Sequence, residues 1–275
     1  MKIALIGHGK MGRMIEEIAR QRGHEIVAIV DVDNPEVFAS PAFASADVAI
    51  EFTSPASAYE NCRKAWAAGL KVVCGSTGWF SAHEAEVRRA CTDEGKTLFW
   101  ASNFSLGVAL FAAMSRRMAE LMNRFPQYDV RMREVHHVHK LDEPSGTAIT
   151  LCEDLLARID RKQRWTLARE KGAQTDASAH RLPLGAAELT AENLPLAELE
   201  AADGRPLEAD ELPIVAERRG EVAGLHSIVY HSDVDTIELT HSARSRRGFA
   251  LGAVVAAEFT AAHTGLLSMN NLLDF

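Results

Sequence analysis

Cysteine is sparse in this chain, with four residues among 275 and no Cys-x-x-Cys pair. The four lie far apart in the sequence, at Cys62, Cys74, Cys91 and Cys152. This spacing predicts neither a structural zinc site nor a disulfide framework. We therefore expect buried structural thiols in a reduced, cytoplasmic setting.

Long apolar runs and basic clusters are also missing. The apolar run before Gly7 is too short for the core of a signal peptide, and the C-terminal apolar stretch is interrupted by Glu258 and His263. No membrane span is therefore expected. The net charge is −8 and there is no basic tail, which argues against nucleic acid as the main partner.

Short apolar runs alternate with helical periodicity through the first part of the chain. Strands are predicted at 2–6, 25–30, 48–52, 71–74 and 97–101. Helices are predicted at 11–22, 56–68 and 81–94, and the last of these opens with the capping-box pattern Ser81-Ala-His-Glu84. This alternation is typical of a parallel sheet with helices on both faces.

The rhythm changes after residue 104. Helices are predicted at 105–123, 147–159 and 249–263, and strands at 128–138, 225–231 and 236–241. The last two strands are predicted to pair antiparallel through the turn at 232–235. Residues 161–211 have weak periodicity and receive no assignment.

A Gly-x-Gly-x-x-Gly motif follows the first predicted strand and opens a helix, which is the context of a dinucleotide-binding loop. Its residues are Gly7, His8, Gly9, Lys10, Met11 and Gly12. Asp31 follows Gly12 by 19 residues, and its carboxylate can bind an adenosine ribose, which favours NADH. Lys10 and Arg13 could instead pair with the extra phosphate of NADPH, so both cofactors stay open. The alternative is a glycine-rich turn in an unrelated α/β protein.

Two further loops follow predicted strands and should reach the same carboxyl edge of the sheet, where open α/β sheets bind ligands. Their candidate residues are Gly75, Ser76 and Thr77 in one loop and Ala101, Ser102, Asn103 and Phe104 in the other. We expect their backbone to hold the nicotinamide end of the cofactor. Taken alone, each would be an ordinary strand-to-helix loop.

The segment 134–147 concentrates groups that can grip and protonate an acid. His136 and His137 can exchange protons near neutral pH, and Lys140 adds a positive charge. A helix is predicted to begin nearby, where Ser145, Gly146 and Thr147 can cradle a carboxylate. His137 and His139 are expected to share one face of a strand and His136 the other.

Two other interpretations of these histidines are a metal site and ordinary structural residues. Three histidines with Glu134 suggest a metal site, but no further ligand set occurs at a telling spacing, so no metal is predicted. Isolated histidines would be ordinary core or surface residues. The run from His136 to Lys140, followed by Pro-Ser-Gly-Thr, favours a functional site instead.

The pattern Glu134-x-His-His-x-x-Lys-x-Asp-x-Pro-Ser-Gly-Thr-Ala148 resembles the signature of the 4-hydroxy-tetrahydrodipicolinate (dihydrodipicolinate) reductase family, which serves the diaminopimelate route to lysine. Other stretches also resemble motifs of this family, at 7–13, 75–78, 101–105, 220–226 and 241–249. One position departs from the signature, because Glu143 stands where the family usually has alanine.

The resemblance implies an NAD(P)H-dependent oxidoreductase that acts on a small cyclic dicarboxylate. His136 would be the proton donor, and Lys140 would grip a carboxylate and stabilise developing charge. His137, Ser145, Gly146 and Thr147 would bind substrate. A Rossmann-like parallel-sheet domain would span 1–104 and 247–275. A smaller α+β substrate-binding domain with a mixed sheet, at 105–246, would build a homotetramer.

Two rival functions keep the cofactor motif. One is a dehydrogenase of another small dicarboxylate, such as a semialdehyde, but none of the four cysteines lies in a convincing nucleophile motif. The other is a non-catalytic dinucleotide sensor. The proton-transfer residues His136 and Lys140 argue against a sensor, which needs to bind a ligand but not to protonate it.

Overall fold

Twelve strands and eight α-helices make up the computed structural model, which describes residues 1–171 and 198–273. The strands are β1 Lys2–Ile6, β2 Glu25–Val30, β3 Val48–Glu51, β4 Lys71–Cys74, β5 Thr97–Trp100, β6 Asp129–His136, β7 Arg164–Glu170, β8 Leu199–Ala201, β9 Glu211–Arg218, β10 Leu225–His231, β11 Thr236–Ser242 and β12 Gly265–Leu267. The helices are α1 Lys10–Gln21, α2 Pro41–Ala44, α3 Pro55–Ala67, α4 Phe80–Asp93, α5 Leu106–Met122, α6 Gly146–Leu156, α7 Arg247–Ala262 and α8 Met269–Leu273. A short 3-10 helix spans Pro35–Ala39.

The chain divides into two compact units, Met1–Ala109 with Arg246–Phe275 and Leu110–Ser245. The first unit is built on a six-stranded sheet in the order β12-β5-β4-β3-β1-β2. All its paired strands run parallel. In this order β1 lies between β2 on one side and β3 on the other. The chain therefore reverses the direction in which it adds strands after β2, which makes a topological switch point beside β1.

Both faces of this parallel sheet are buried. Along β1, Ala4 and Ile6 pack into one apolar cluster, and Ile3 and Leu5 pack into another. This alternation follows from the two-residue period of a strand, whose successive side chains point to opposite faces. Helices on each side cover the two clusters, as the near-continuous apolar strands predict.

The second unit contains a mixed six-stranded sheet in the order β11-β10-β6-β9-β7-β8. β10 runs antiparallel to both β11 and β6, whereas β9 runs parallel to β6 and β7. Its apolar cluster combines strand residues such as Met132 and Ile228 with Leu151 and Leu155 of α6. The predicted fold class, a Rossmann-like parallel sheet plus a mixed sheet, is confirmed. The predicted domain bounds, and the assignment of the second domain to substrate binding and oligomerisation, stay predictions.

One local prediction is wrong. Helix α4 begins at Phe80, with Trp79 as its N-cap and no side-chain cap, so Ser81 lies inside the first turn. Packing decides this start. The indole Nε1 of Trp79 donates to the carbonyl of Ser76 at 2.9 Å, and the ring of Phe80 stacks on Trp100 at 4.2 Å. These contacts of buried Trp79 and half-buried Phe80 outweigh the capping box that the sequence pattern predicts.

The unassigned region 161–211 supplies strands β7 and β8 and the start of β9. β7 lies between β9 and β8, so an inner strand of the second sheet comes from this weakly periodic stretch. The rest of that region, 172–197, lies outside the described residues. Among residues 1–171 and 198–273, no helix is both long and apolar enough to cross a membrane.

Candidate active site

The predicted cofactor loops follow the carboxyl ends of neighbouring strands in the first unit. Gly7 follows β1, Asp31 follows β2, Gly75 follows β4 and Ala101 follows β5. Since these strands are parallel members of one sheet, the loops share one edge, where ligands of such sheets bind.

Each glycine of the Gly-x-Gly-x-x-Gly loop meets different surroundings. Gly7 has φ +92°, and a Cβ there would lie 2.3 Å from the carbonyl oxygen of Phe52. A Cβ on Gly12 would lie 2.1 Å from the carbonyl oxygen of Gly7. Around Gly9, by contrast, a Cβ would meet no protein atom within 4 Å. Gly7 and Gly12 are therefore required by contacts within the protein, whereas Gly9 leaves an open approach to the backbone at the start of α1, which fits a pyrophosphate.

Asp31 ties the end of β2 to this loop. Its Oδ2 accepts the backbone N–H of His8 at 3.2 Å, and its Oδ1 accepts that of Val32 at 2.9 Å. Each carboxylate oxygen keeps a further acceptor position for a ribose hydroxyl. Lys10 and Arg13 are exposed at the start of α1, so a phosphate there would meet positive charge. The side chain of His8 instead contacts Glu16.

The other two loops contain both structural and exposed residues. The Ser76 hydroxyl is buried and accepts the N–H of Thr53 at 2.9 Å. Phe104 packs in the apolar core, while Thr77 and Ser102 are exposed. The side chains of Ser76 and Phe104 therefore serve the fold. Only the backbone of these two residues could contact a cofactor.

In the second unit, β6 places a carboxylate and an imidazole on the same buried face. Glu134 and His136 are two residues apart, so their side chains point to the same side of the strand. Glu134 is 0% exposed, and Oε2 of its carboxylate lies 2.6 Å from Nδ1 of His136. This is ion-pair distance for a protonated imidazole, although the two atoms are not aligned as a hydrogen bond.

The other oxygen of Glu134 receives three N–H groups. Nη1 and Nη2 of Arg218, at the end of β9, donate to Oε1 at 3.1 and 3.2 Å, and the backbone N–H of Ser145 donates at 3.0 Å. Burial by itself would raise the pKa of Glu134. The contacts from His136 and Ser145 outweigh burial and lower that pKa to about 2. The carboxylate therefore stays ionised at neutral pH.

His226 lies opposite Glu134 in the β6–β10 ladder. Its Nε2 is 3.4 Å from Oγ of Ser145, and its ring packs edge-on against that of His136 at 5.2 Å. Burial, and then the nearby charge of His136, lower the pKa of His226 to about 3. This imidazole is therefore neutral at physiological pH.

Helix α6 begins beside these groups. The hydroxyl of Ser145 caps it by accepting the N–H of Ala148 at 3.2 Å. The N–H of Gly146 points to Oδ2 of Asp142 at 3.4 Å, and Oδ1 of Asp142 lies 2.8 Å from Nζ of Lys140. Because Glu134 already binds the N–H of Ser145, the predicted carboxylate cradle is reduced to the groups of Lys140, Gly146 and Thr147.

The strand ends earlier than the alternating pattern predicts. β6 stops at His136, and the chain turns where Val138 donates to the carbonyl of Gly220 at 3.1 Å. The expectation that His137 and His139 share a strand face is therefore wrong. His137 is half-buried, its Nδ1 has no hydrogen-bond partner, and exposed His139 lies near Glu221.

Family models match almost the whole chain. The model for the N-terminus of dihydrodipicolinate reductase matches residues 1–104, and that for its C-terminus matches residues 107–273. This chain belongs to the dihydrodipicolinate reductase family. The predicted family is confirmed, and with it an NAD(P)H-dependent oxidoreductase whose N-terminal domain binds the dinucleotide.

Relatives of the reductase family align along most or all of their length. The 4-hydroxy-tetrahydrodipicolinate reductase of Christiangramia forsetii is 38% identical and covers 100% of this chain and 98% of its own. The enzyme of the same name from Methanopyrus kandleri is 29% identical over 96% of this chain and 86% of its own.

Solved structures show the same fold. The dipicolinate-bound dihydrodipicolinate reductase of Paenisporosarcina sp. TG-14 has a TM-score of 0.68 at 20% identity, with 98% of each chain covered. An amine dehydrogenase from Mycobacterium smegmatis has a TM-score of 0.52 at 13% identity. The architecture therefore extends to oxidoreductases beyond the reductase family.

The one departure from the family signature, Glu143, lies on the surface. Glu143 is exposed in the loop before α6, next to buried Pro144 and Ser145. The side chain therefore does not add a buried negative charge to the predicted carboxylate cradle.

Residues Glu134, His136 and His226 form a group whose side-chain ligand atoms lie within 4.8 Å of one another. The 2.6 Å between Oε2 of Glu134 and Nδ1 of His136 is shorter than the roughly 3.3 Å that two ligands of a tetrahedral zinc ion would keep. The ion pair of Glu134 and His136 accounts for this contact without a metal.

The sequence-based candidates omitted three residues of this cluster. Glu134 and His226 are polar residues within family-like motifs and could have been chosen for their chemistry. Arg218 gave no such signal, because β9 was not predicted. Only the register of β9 against β6, which pairs Arg218 with His136, brings it to Glu134.

Proposed function

We propose that this chain catalyses the NAD(P)H-dependent reduction of 4-hydroxy-tetrahydrodipicolinate to tetrahydrodipicolinate, in the diaminopimelate route to lysine. Full-length similarity to enzymes of that name supports the reaction. The observation that carries it is the buried pair of Glu134 and His136 close to Lys140 and the start of α6. This is a proton donor next to a grip for carboxylates.

The first unit binds the cofactor. The open backbone at Gly9 receives the pyrophosphate at the start of α1, and Asp31 receives the adenosine ribose. When bound, the reduced nicotinamide supplies a hydride to C4 of the conjugated cyclic imine that forms when the substrate loses water. Thr77 and Ser102, with the backbone of both later loops, orient the nicotinamide end.

His136 supplies the proton. Nδ1 of the ring faces Glu134, so Nε2 is the nitrogen that can donate to C3 of the substrate. A Cβ on Gly224 would lie 3.1 Å from this Nε2, so the missing side chain leaves room beside the donor. After transfer, solvent returns a proton to the ring.

Lys140 and the start of α6 hold the substrate carboxylates. The ammonium of Lys140 is a compact charge with rotatable donors, and the N–H groups of Gly146 and Thr147 point out of a helix start. His137 adds a further hydrogen-bonding group. Placing the two carboxylates fixes the ring so that C3 faces His136.

We also propose a cytoplasmic homotetramer built on the mixed sheet. Helix α6 contacts β6, β7 and β9 on one face of this sheet. The side chains of Arg133, Glu217 and Val229 lie on the opposite face of the sheet. On that face Arg133 and Glu217 form an ion pair. The test is the molecular mass in solution, measured by light scattering. A monomer would contradict the proposal.

The activity is tested by following oxidation of NADH and NADPH with substrate made freshly from pyruvate and aspartate semialdehyde by the preceding pathway enzyme. We expect NADH or NADPH to be oxidised only when the preceding pathway enzyme is present to supply the substrate. Lys140→Ala and His136→Ala should lose most turnover while NADH affinity stays close to wild type. A folded protein that binds NADH but oxidises neither cofactor would contradict the reaction and favour a sensor.

A further inference from the structure

Glu134 is a fully buried carboxylate whose two oxygens have different surroundings. Oε1 binds α6 through the N–H of Ser145 and binds β9 through Arg218. Oε2 faces Nδ1 of His136 at 2.6 Å, and Nε2 of His226 lies 4.0 Å from the same oxygen. Oε1 therefore connects β6 with α6 and β9, whereas Oε2 contacts the imidazole of His136.

We propose that Glu134 is a positioning residue that keeps His136 protonated and turns its Nε2 towards the substrate. This inference rests on the proposed function, because it assumes that His136 donates the proton. Arg218 is the second part of the device. By holding Oε1 with two N–H groups, it fixes the carboxylate so that Oε2 stays at Nδ1.

The charges around His136 decide whether its surroundings favour or disfavour the protonated imidazole. The groups around it are Glu134 on its own strand, Arg218 of β9, which binds Glu134, and His226 of β10 with His241 of β11 beyond it. Lys140 and Asp142 of the following loop join this cluster through their backbone carbonyls, which accept hydrogen bonds from the guanidinium of Arg218. Burial keeps His226 neutral, so this ring adds no charge. Glu134 is the negative group in contact with the ring, whereas Arg218 and Lys140 are positive.

A carboxylate next to an imidazole favours the imidazolium, and nearby cations disfavour it. In Glu134→Gln the shape is nearly kept, but the negative charge in contact with the His136 ring is lost while the cation of Arg218 stays. We therefore expect the alkaline limb of the kcat/KM profile, where the donor loses its proton, to move to lower pH. The activity lost at high pH should return largely as the pH is lowered.

Glu211 offers a matched control. It is also buried in the second unit, and it accepts hydrogen bonds from Arg205 at 2.6 Å, Thr166 at 2.7 Å and Arg164 at 3.1 Å, but no histidine contacts it. Glu211→Gln should lower the stability towards urea, as Glu134→Gln does, because both leave buried donors poorly paired. Its pH profile should keep the wild-type alkaline limb.

The experiment is the pH dependence of kcat/KM for wild type and both glutamine variants, with urea unfolding of each. A Glu134→Gln profile that is lowered equally at every pH would overturn the inference and leave Glu134 a structural residue. If that variant does not fold, Glu134→Asp tests the same contact while keeping the buried negative charge. The shorter side chain draws the carboxylate away from Nδ1 of His136, so the alkaline limb should move to lower pH, and an unmoved limb would contradict the proposal.

The two proposals fail differently. If wild type oxidises neither cofactor with the substrate, the reaction itself is wrong. If wild type turns over and the limb of the Glu134→Gln profile does not move, the reaction stands and only the role of Glu134 is wrong.

Discussion

The carboxylate of Asp142 lies 2.8 Å from the ammonium of Lys140, and its second oxygen lies 3.4 Å from the N–H of Gly146. Both partners are groups that we expect to hold a carboxylate of the substrate. Asp142 thus contacts the donors that we expect the substrate to use. Its side chain is 55% exposed, so water can replace these partners when a ligand displaces it.

Asp142→Asn should therefore strengthen the binding of a dicarboxylate. An exposed ion pair contributes about 0.2–1 kcal/mol, so its removal should lower the Kd of pyridine-2,6-dicarboxylate by roughly two- to fivefold at most. Calorimetry in the presence of NADH measures this. Asp203→Asn, a change of an exposed aspartate beside Arg205, is the control and should leave the Kd unchanged. Weaker binding in Asp142→Asn would show that Asp142 orients Lys140 instead of competing with the ligand.

Gly9→Ala should separate cofactor binding from folding. A Cβ at Gly9 meets no protein atom within 4 Å, so the variant should unfold at the wild-type temperature. The methyl group would nevertheless stand where the pyrophosphate approaches, and we expect NADH and NADPH to bind about tenfold more weakly, or about 1.4 kcal/mol. Fluorescence titration and thermal unfolding measure the two effects.

Gly12→Ala is the comparison for that experiment. A Cβ there would lie 2.1 Å from the carbonyl oxygen of Gly7, so the loop itself must move, and both stability and cofactor affinity should fall. Wild-type cofactor affinity in Gly9→Ala would mean that the pyrophosphate lies elsewhere.

Gly224→Ala should lower both stability and turnover. Gly224 has φ +150°, a conformation that costs other residues about 1–3 kcal/mol, and its Cβ would lie 3.1 Å from Nε2 of His136. We expect a reduced kcat at every pH, because the methyl group crowds the nitrogen that donates. Steady-state kinetics and urea unfolding provide the measurements.

Gly220→Ala is the control for Gly224→Ala, because it introduces backbone strain without crowding His136. Gly220 has φ +46°, and a Cβ there meets nothing within 4 Å. This variant should lose about 1–2 kcal/mol of stability while its kcat stays close to wild type. Equal loss of kcat in both glycine variants would argue against crowding at His136.

His226 should make the second unit sensitive to acid. Its pKa falls from 6.5 to about 3 in the folded state because burial disfavours the charged ring. Between these values the unfolded chain binds a proton that the folded chain does not, so stability is fully present above pH 6.5 and falls as the pH drops towards 3. The slope approaches about 1.4 kcal/mol per pH unit for one proton.

Urea unfolding at a series of pH values from neutral to mildly acidic tests this. Replacing the ring by His226→Gln should flatten the dependence, whereas His139→Gln, a change at an exposed histidine, should leave it as in wild type. Glu134 contributes at lower pH, since its pKa of about 2 lies below its ordinary value of 4.5 and its stabilisation is lost as acid protonates it. An unchanged slope in His226→Gln would contradict a neutral buried ring.

Much of the first unit could be predicted because its signals are local. The bounds of β1, β2 and β4 agree with the apolar runs, since a short buried strand in a parallel sheet is one continuous apolar stretch. The loop from Gly7 to Gly12 was recognisable because the turn requires glycines at positions only a few residues apart. The start of α4 was wrong because Trp79 and Phe80 pack against residues elsewhere in the chain.

The sequence by itself determined the family and the two sheet types, and it singled out the segment around His136 for which we propose proton transfer. Tertiary structure decided what surrounds that segment. Arg218 reaches Glu134 across 84 residues, and His226 reaches Ser145 across 81. Such pairings depend on the register of β9 and β10 against β6, which long-range packing sets and no local periodicity encodes.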